Sequence, residues 1–239
     1  MFHGNHVLVV VPARGGSKGI KLKNIYPLAG KPLIHYTGEI VQQLEYVDRA
    51  IVSTDHERIA AEAKACELDV PFYRPEALSG DRISDWDVLN HALREMEKID
   101  RKHYDIVLML QPTSPLRRAE DVTRAVKMLS ETNYDAVWTV SPTDSKGHPL
   151  KQLVVHDGLL DYYDPAGAQI IARQQLTTVY HRNGVAYAIR RTSILEKKSS
   201  KGDKTGAVII DEPMANIDTE FDILFAEFLL SRQVPPPSC

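Results

Sequence analysis

Cysteine is scarce: the 239 residues contain two, Cys66 inside a helical pattern and Cys239 at the terminus. That count argues against a disulfide framework and for a reducing, cytoplasmic setting, with Cys66 an inert core thiol. Long apolar runs are absent as well. No stretch approaches membrane-spanning length, and Met1 to His6 supply no basic segment of the kind that opens a signal peptide. Positive charge is not in excess: 29 Lys and Arg against 32 Asp and Glu leave a net charge of −3, which argues against a general nucleic-acid or anionic-membrane surface. There are no internal repeats, and the length fits one large α/β domain or a domain with a small extension. One absence is local: no Asp or Glu occurs before Glu39.

Within that acid-free opening lies the stretch Val7 to Asn24, VLVVVPARGGSKGIKLKN. Val7 to Val11 show no polar alternation, the pattern of a strand covered on both faces in a parallel sheet. Pro12 ends it, having no N–H for the ladder. Gly15, Gly16 and Gly19 are expected to supply positive φ and close backbone approach, so that successive N–H groups face one anion while Arg14, Lys18, Lys21 and Lys23 add charge. A phosphate-rich ligand follows. Two phosphate motifs fail: for GxxxxGK[ST] the lysine precedes the last glycine, and for GxGxxG Ser17 takes the second glycine position. Gly15-Gly16-Ser17-Lys18-Gly19 does match GxSxG, the elbow that presents a nucleophilic serine. An elbow runs straight into a helix, whereas residues 20–32 carry no helical periodicity and contain Pro27, Gly30 and Pro32. A plain flexible surface loop is the remaining alternative.

Further along, the rhythm is strand, loop, helix. Helical spacing covers Pro32 to Gln43, His56 to Leu68, Trp86 to Ile99, Glu120 to Ser130 and the apolar, amphipathic stretch Thr219 to Leu230. Short strands are expected at 50–52, 70–73, 106–110, 136–140, 183–189 and 208–210. Asp55 reads as the N-cap of the second helix rather than as a catalytic group. The alternation predicts an α/β fold, a mostly parallel sheet with helices on both faces and ligands beyond the carboxyl ends of the strands. The basic loop, Ser53 to Asp55, Arg74 to Asp85 and Gln111 to Arg118 all fall on that rim. From Pro142 to Tyr180 the rhythm stops, and so long an excursion without clear helices is usually functional or an interaction arm. The main domain is therefore expected to comprise 1–141 and 184–234, with 142–183 inserted as an arm and 235–239 a disordered tail.

A basic cradle and late carboxylates together suggest polyphosphate chemistry, because a metal held by Asp can bridge phosphate oxygens while Lys and Arg neutralise the rest. On spacing alone, Asp218 and Asp222 read equally well as a helix cap and a first-turn charge. Six separated motifs are ARGGSKGIKLKN, RPEAL followed by GD, LQPTSPLR, HPLK, RQQL followed by NG, and NIDTEFD. In order and approximate spacing, from about Val7 to Glu227, they resemble those of the N-acylneuraminate cytidylyltransferases, the CMP-sialic acid synthetases. Relatives activating legionaminic or pseudaminic acid, and more distantly 3-deoxy-manno-octulosonic acid, share much of the pattern. The resemblance implies a Rossmann-like nucleotidyltransferase fold and transfer of CMP from CTP to the anomeric hydroxyl of a sialic-type, nonulosonic acid, with pyrophosphate leaving.

By motif, the resemblance assigns Arg14, Gly16, Ser17 and Lys18 to the triphosphate, Lys23 and Asn24 to the α-phosphate and cytosine side, and Arg74 and Asp81 to the neighbourhood of the nucleotide. Arg14, Lys18, Lys23 and Asp218 are the catalytic expectations. Gln111, Lys151, Arg173 and Tyr187 are the sugar-site expectations, with Lys151 and Arg173 reaching the sugar carboxylate from the arm of a partner in a homodimer. Without the resemblance, Lys151 reads as a solvated charge and Arg173 as a surface ion pair. The expected cofactor is Mg²⁺, or Mn²⁺, on Asp218 and Asn216. Two departures stand out. The family's metal motif reads D-I-D where this chain has Asn216-Ile217-Asp218, and an aromatic pair for the N-acyl group is replaced by the polar, basic stretch Glu196 to Lys204. Two rival classes remain: a serine hydrolase built on Ser17, and a nucleotide-binding protein inactivated through Asn216.

Overall fold

Val7 to Val11 are all fully buried, because the strand they form, β1 (Val7–Pro12), is covered on both faces. The computed structural model describes residues 1–233, and the tail 235–239 lies outside the described residues. After β1 come a two-residue ladder of β2 (Pro27–Leu28) with β3 (Lys31–Pro32), then α1 (Leu33–Gln42), β4 (Arg49–Ser53), α2 (Glu57–Ala65), α3 (Asp85–Asp100), β5 (Ile106–Met109), α4 (Ala119–Glu131) and β6 (Ala136–Pro142). The excursion carries a hairpin of β7 (Leu153–His156) and β8 (Leu159–Tyr162). The chain returns through β9 (Tyr180–Arg190), α5 (Arg191–Leu195), β10 (Thr205–Ile209) and α6 (Glu220–Gln233).

Six strands form one sheet in the order β10-β6-β9-β5-β1-β4. β1 lies parallel to β4 and β5, and β10 parallel to β6, whereas β9 runs antiparallel between β5 and β6. Val7, Val9 and Val11 pack beneath α1, α2 and α4, while Leu8 and Val10 pack beneath α3 and α5. This two-sided burial is why the strand lacks polar alternation. Each such side chain contributes roughly 1.5–3 kcal/mol on full burial, so the point from which the basic loop departs is firmly fixed. α3 opens with a reciprocal capping box: Asp87 N–H donates to Ser84 Oγ and Ser84 N–H to the Asp87 carboxylate, each at 3.2 Å. Among the described residues no helix is long and apolar enough to cross a membrane.

Three elements differ from the sequence expectation. Residues 70–73 form no strand. Asp69 makes a single bridge to Ile51, after which Arg74 N–H donates to the Thr54 carbonyl at 2.7 Å, so the segment turns in over the carboxyl end of β4 instead of widening the sheet. Asp55 does not cap α2. His56 does, its Nδ1 accepting from Arg58 N–H at 3.2 Å, which leaves the Asp55 carboxylate to accept the Gly15 N–H at 2.8 Å. Finally, α6 is apolar on more than one face: Ile223 and Ala226 pack with Leu28 and Leu33, while Phe221, Leu224, Phe225 and Phe228 are exposed.

Candidate active site

The carboxyl ends of β1 and β5 open onto a cleft of about 570 Å³, where an open α/β sheet is expected to bind its ligand; Ser53 to Asp55, expected on the same rim, are not part of its lining. The basic loop enters it tied at both ends. Ala13 N–H donates to the Ser53 carbonyl at 3.0 Å, the buried Asn24 donates from Nδ2 to the Arg14 carbonyl at 3.0 Å, and Gly15 N–H is held by Asp55. Ser17 N–H donates to the Gly15 carbonyl at 3.0 Å. Three of the loop amides, those of Ala13, Gly15 and Ser17, are thus engaged within the protein. None of Gly15, Gly16 and Gly19 has positive φ; the left-handed residue is Leu22, at φ 51°. What Gly19 provides is closeness, since a Cβ there would collide with the backbone carbonyl of Asp218. The loop is pressed directly against residues 216–218.

Electrostatics organise the rest. Arg14 and Lys18 converge on Asp81, at 2.8 and 2.5 Å, and the Lys18 contact first, then Arg14, holds the Asp81 carboxyl below its ordinary range. Lys23 Nζ lies 2.6 Å from Asp218 Oδ1. Arg74 is buried, donating to Ser53 Oγ at 3.0 Å and to the Ser53 carbonyl, and burial lowers its pKa to about 10. Asp218 and Asp222, indistinguishable by spacing, have separate roles. Asp222 accepts from Asp218 N–H at 3.0 Å and from Thr219 N–H at 2.7 Å. Burial works to raise its pKa, but these bonds hold it below the ordinary range. It caps α6, and Asp218 is the carboxylate that faces the cleft.

Asn216 and Asp218 bring two oxygen donors to the cleft wall. Among the described residues no three His, Cys, Asp or Glu side chains gather as a metal cage. Such a sparse set suits a hard cation that completes its shell with ligand phosphates and water, as Mg²⁺ does, and does not suit a closed tetrahedral site.

At the opposite wall Gln111 follows β5, its N–H donating to the Gly184 carbonyl at 3.4 Å. Gly184 sits at φ 73°, and a Cβ on it would collide with Ser114 Oγ and Gln111 Oε1. Beneath them Arg117, 4 % exposed, donates to the carbonyls of Gln111 (2.6 Å), Gly184 (3.0 Å) and Val185 (2.5 Å) and to Thr37 Oγ1 (3.0 Å). Burial pushes this guanidinium down to about 9. Arg117 thus fixes the wall that presents Gln111, a role that the LQPTSPLR motif contains but that its one-letter pattern does not disclose.

Of the sequence-predicted residues, Arg14, Ser17, Lys18, Lys23, Asn24, Arg74, Asp81, Gln111, Asn216 and Asp218 line this one cleft. Gly16 is an exposed residue of the same loop and is not part of the wall. Tyr187 is 1 % exposed and stays in the core, its hydroxyl accepting Gly184 N–H at 3.0 Å and its ring centroid 5.2 Å from that of Trp138. It supports the wall from behind. Lys151 and Arg173 are exposed on the arm, outside the cleft of their own chain. The 196–204 stretch is also elsewhere, stapled to Asp135 by Lys197 Nζ and by the N–H groups of Asp203 and Lys204, at 2.8–2.9 Å. Asp85 lines the cleft as the last residue of the expected Arg74 to Asp85 rim segment, and Arg182, next to the Asn183-Gly184 motif, lines it without having been anticipated. The hydrolase geometry is missing: the turn after Ser17 leads to a single 3-10 turn at Lys23–Ile25, and among the described residues no histidine is hydrogen-bonded to Ser17.

Comparison with known proteins accords with this geometry. The profile of a family described as "Cytidylyltransferase" matches residues 8–223. The chain is 29 % identical over 231 residues to the post-translational flagellin modification protein B of Campylobacter coli, covering 96 % of this chain and 97 % of that one. It is 31 % identical over 220 residues to the CMP-N,N'-diacetyllegionaminic acid synthase of Legionella pneumophila, covering 92 % and 93 %. The N-acylneuraminate cytidylyltransferase of Escherichia coli O18:K1:H7 is 31 % identical over 226 residues; the match takes in 92 % of this chain but 51 % of that protein, so this chain spans about half its length. Among solved structures, CMP:2-keto-3-deoxy-manno-octonic acid synthetase complexed with CTP superposes with a TM-score of 0.69 at 19 % identity, covering 96 % of this chain and all of that one. With its Rossmann-like sheet, its basic loop and a profile match over nearly its whole length, the chain belongs to the cytidylyltransferase family.

Proposed function

We propose that this cytidylyltransferase moves CMP from CTP to the anomeric hydroxyl of a sialic-type, nonulosonic acid and releases pyrophosphate. The observation that carries the reading is the pairing of Lys23 with Asp218 across 195 residues of sequence, which joins the basic loop and the late carboxylate in one cleft. In the reaction the hydroxyl oxygen attacks the α-phosphorus, the bond from that phosphorus to the β-phosphate's bridging oxygen breaks, and the hydroxyl proton is released. Phosphoryl chemistry of this kind gains chiefly from alignment and charge neutralisation.

Each ion pair of the cleft is a cation held ready by a carboxylate. Arg14 and Lys18 exchange Asp81 for triphosphate oxygens, with Ser17 between them as a hydroxyl donor and Gly16 leaving room for the approach. Lys23, released from Asp218, turns to the α-phosphate, and Asn24 keeps the loop in shape through the Arg14 carbonyl. Arg74 fixes the floor on the nucleotide side, and Gln111 faces the sugar acid. Asp218, with the Asn216 amide oxygen, would hold Mg²⁺ or Mn²⁺, which supplies further neutralisation of phosphate oxygens when bound. The amide lowers the charge of the site relative to a paired aspartate, so a weaker metal affinity is expected. Lys151 and Arg173 serve the cleft of a second copy, and the exposed apolar residues of the arm support such a homodimer.

The test is pyrophosphate release from CTP and Mg²⁺ or Mn²⁺ with N-acetylneuraminic, legionaminic, pseudaminic and 3-deoxy-manno-octulosonic acids. Release with one of the three nonulosonic acids supports the reading, whereas release with 3-deoxy-manno-octulosonic acid alone keeps the cytidylyl transfer and overturns the nonulosonic acceptor. Tight CTP binding without release from any of them overturns it in favour of an inactive nucleotide binder.

A further inference from the structure

Three carboxylates line the cleft among the described residues: Asp81, Asp85 and Asp218. Asp85 pairs with Arg182 at 3.3 Å, and Asp218 with Lys23 at 2.6 Å. Asp81 differs, because it takes two cations and both are those given to the triphosphate. Arg14 Nη2 meets its Oδ1 at 2.8 Å, and Lys18 Nζ meets its Oδ2 at 2.5 Å. A carboxylate that accepts one cationic donor on each oxygen fills the place of two oxygens of one phosphate. An anion of the protein's own thus stands where a ligand anion is to go.

Those cations are nearly all that holds it there. Among the described residues the Asp81 carboxylate accepts no backbone N–H, in contrast to Asp55, which accepts that of Gly15, and Asp222, which accepts two. Asp81 stands on an exposed turn ahead of α3, closed by a single long backbone bond from Ile83 N–H to the Gly80 carbonyl at 3.4 Å. A Cβ on Gly80 would meet nothing closer than Ile83 Cγ1 at 3.9 Å, so the turn is lightly packed and can open locally. Arg14 keeps a second tether, from Nη1 to the Ser79 carbonyl at 3.4 Å, and remains in the cleft when Asp81 leaves it. Lys18 is 80 % exposed and Asp81 40 %, and pairs so exposed exchange readily.

Resting on the proposed function, we infer that Asp81 is an internal competitor of the β- and γ-phosphates, which re-forms its pairs with Arg14 and Lys18 after transfer and so loosens the hold on pyrophosphate. A ligand that must displace Asp81 binds more weakly by the fraction of time that the two cations are free. CTP bears that loss, because Lys23, Asn24 and Arg74 serve the rest of the nucleotide. Pyrophosphate has no base or sugar with which to make it up.

Isothermal titration of wild type, Asp81→Asn and Asp81→Glu with inorganic pyrophosphate, CTP and CMP, each with Mg²⁺, tests this. Asp81→Asn keeps the shape and removes the competing charge, so its Kd for pyrophosphate and for CTP should fall about fivefold or more, while that for CMP, which lacks the β- and γ-phosphates, stays within about twofold. In steady state the inhibition constant of pyrophosphate should fall by the same factor. Asp81→Glu retains the charge and should stay near wild type. Weaker pyrophosphate binding by Asp81→Asn would make Asp81 a support for Arg14 and Lys18, unchanged binding would make the pairs idle, and an equal shift for CMP would mean a general change of the cleft. Each of these overturns the inference. Wild type that binds neither CTP nor pyrophosphate overturns the proposed function with it, whereas wild-type turnover with no gain in pyrophosphate affinity for Asp81→Asn overturns this inference alone.

Discussion

Lys18 and Asp218 are largely exposed, at 80 % and 70 % of their side chains, and each is paired with an opposite charge in the cleft. Ion pairs at such exposure add little to folding stability. On the proposed function their value lies in the transition state, where each would act as a preorganised charge on the phosphate side of the cleft. Lys18→Ala and Asp218→Ala are each expected to lose more than about 2 kcal/mol of transition-state stabilisation, a fall of roughly thirtyfold in kcat/KM. The melting temperature should barely move. Steady-state pyrophosphate release and a thermal melt on the same preparations check both halves; wild-type kcat/KM in either variant would remove that residue from the machinery. Cys66 is the contrast. Its thiol is buried, burial raises its pKa to about 11, and alkylating reagents at neutral pH should find no thiolate there.

The elements that were legible are those whose own residues decide their state. β1, β5 and β6 carry apolar runs because both faces of the sheet are covered, and α3 and α4 show a 3.6-residue period because one face alone is buried. Residues 70–73 misled because a short apolar run does not say whether an edge partner exists; there the chain turns inward to deliver Arg74. The antiparallel placement of β9 between β5 and β6 was not legible either, since it is set by where the arm re-enters and not by the strand's composition. The candidate site divides in the same way. Cations in the loop were readable, while the carbonyl-holding role of Arg117, the placement of Arg182 and the burial of Tyr187 follow from tertiary packing.

The start of β1 carries a prediction on pH. Asp48, 11 % exposed, accepts Val7 N–H at 2.8 Å and is flanked by His6 at 2.8 Å and Lys102 at 3.2 Å. Burial works to raise its pKa, but these partners bring it down to about 2. A carboxyl depressed in the folded state contributes stability that is present above its unfolded pKa, near 4, and is lost as pH falls through the folded value. The contribution is about 2 kcal/mol at neutral pH. In urea melts, Asp48→Asn should therefore be less stable than wild type by about that amount at pH 7, with the gap closing as pH falls from about 4 towards 2. A gap independent of pH would show that the bonds to Val7 and Lys102 do not depend on the charge.

At the scale of the whole molecule, the apolar surface that one chain leaves uncovered is concentrated on the arm and on α6. Leu159 is 76 % exposed, Ile171 92 % and Phe221 74 %, and patches of this kind mark association surfaces. The same arm carries Lys151 and Arg173, which do not reach the cleft of their own chain. Both facts are accounted for if the arm of one copy lies over the cleft of another, and this arrangement can be separated from a merely structural dimer by complementation. Lys151→Ala damages what a chain gives to its partner, and Asp218→Ala damages its own cleft. Each variant alone should be nearly inactive. In a mixed dimer one cleft carries both defects and the other carries neither, so co-expression in equal amounts should restore about a quarter of wild-type activity, from one intact cleft in half of the dimers. Mixing in which activity stays at the level of the single variants, with dimers confirmed by sedimentation, would mean that Lys151 acts on its own chain or not at all. A monomer in sedimentation would remove the arm from the active site altogether, and Lys151→Ala would then keep wild-type activity.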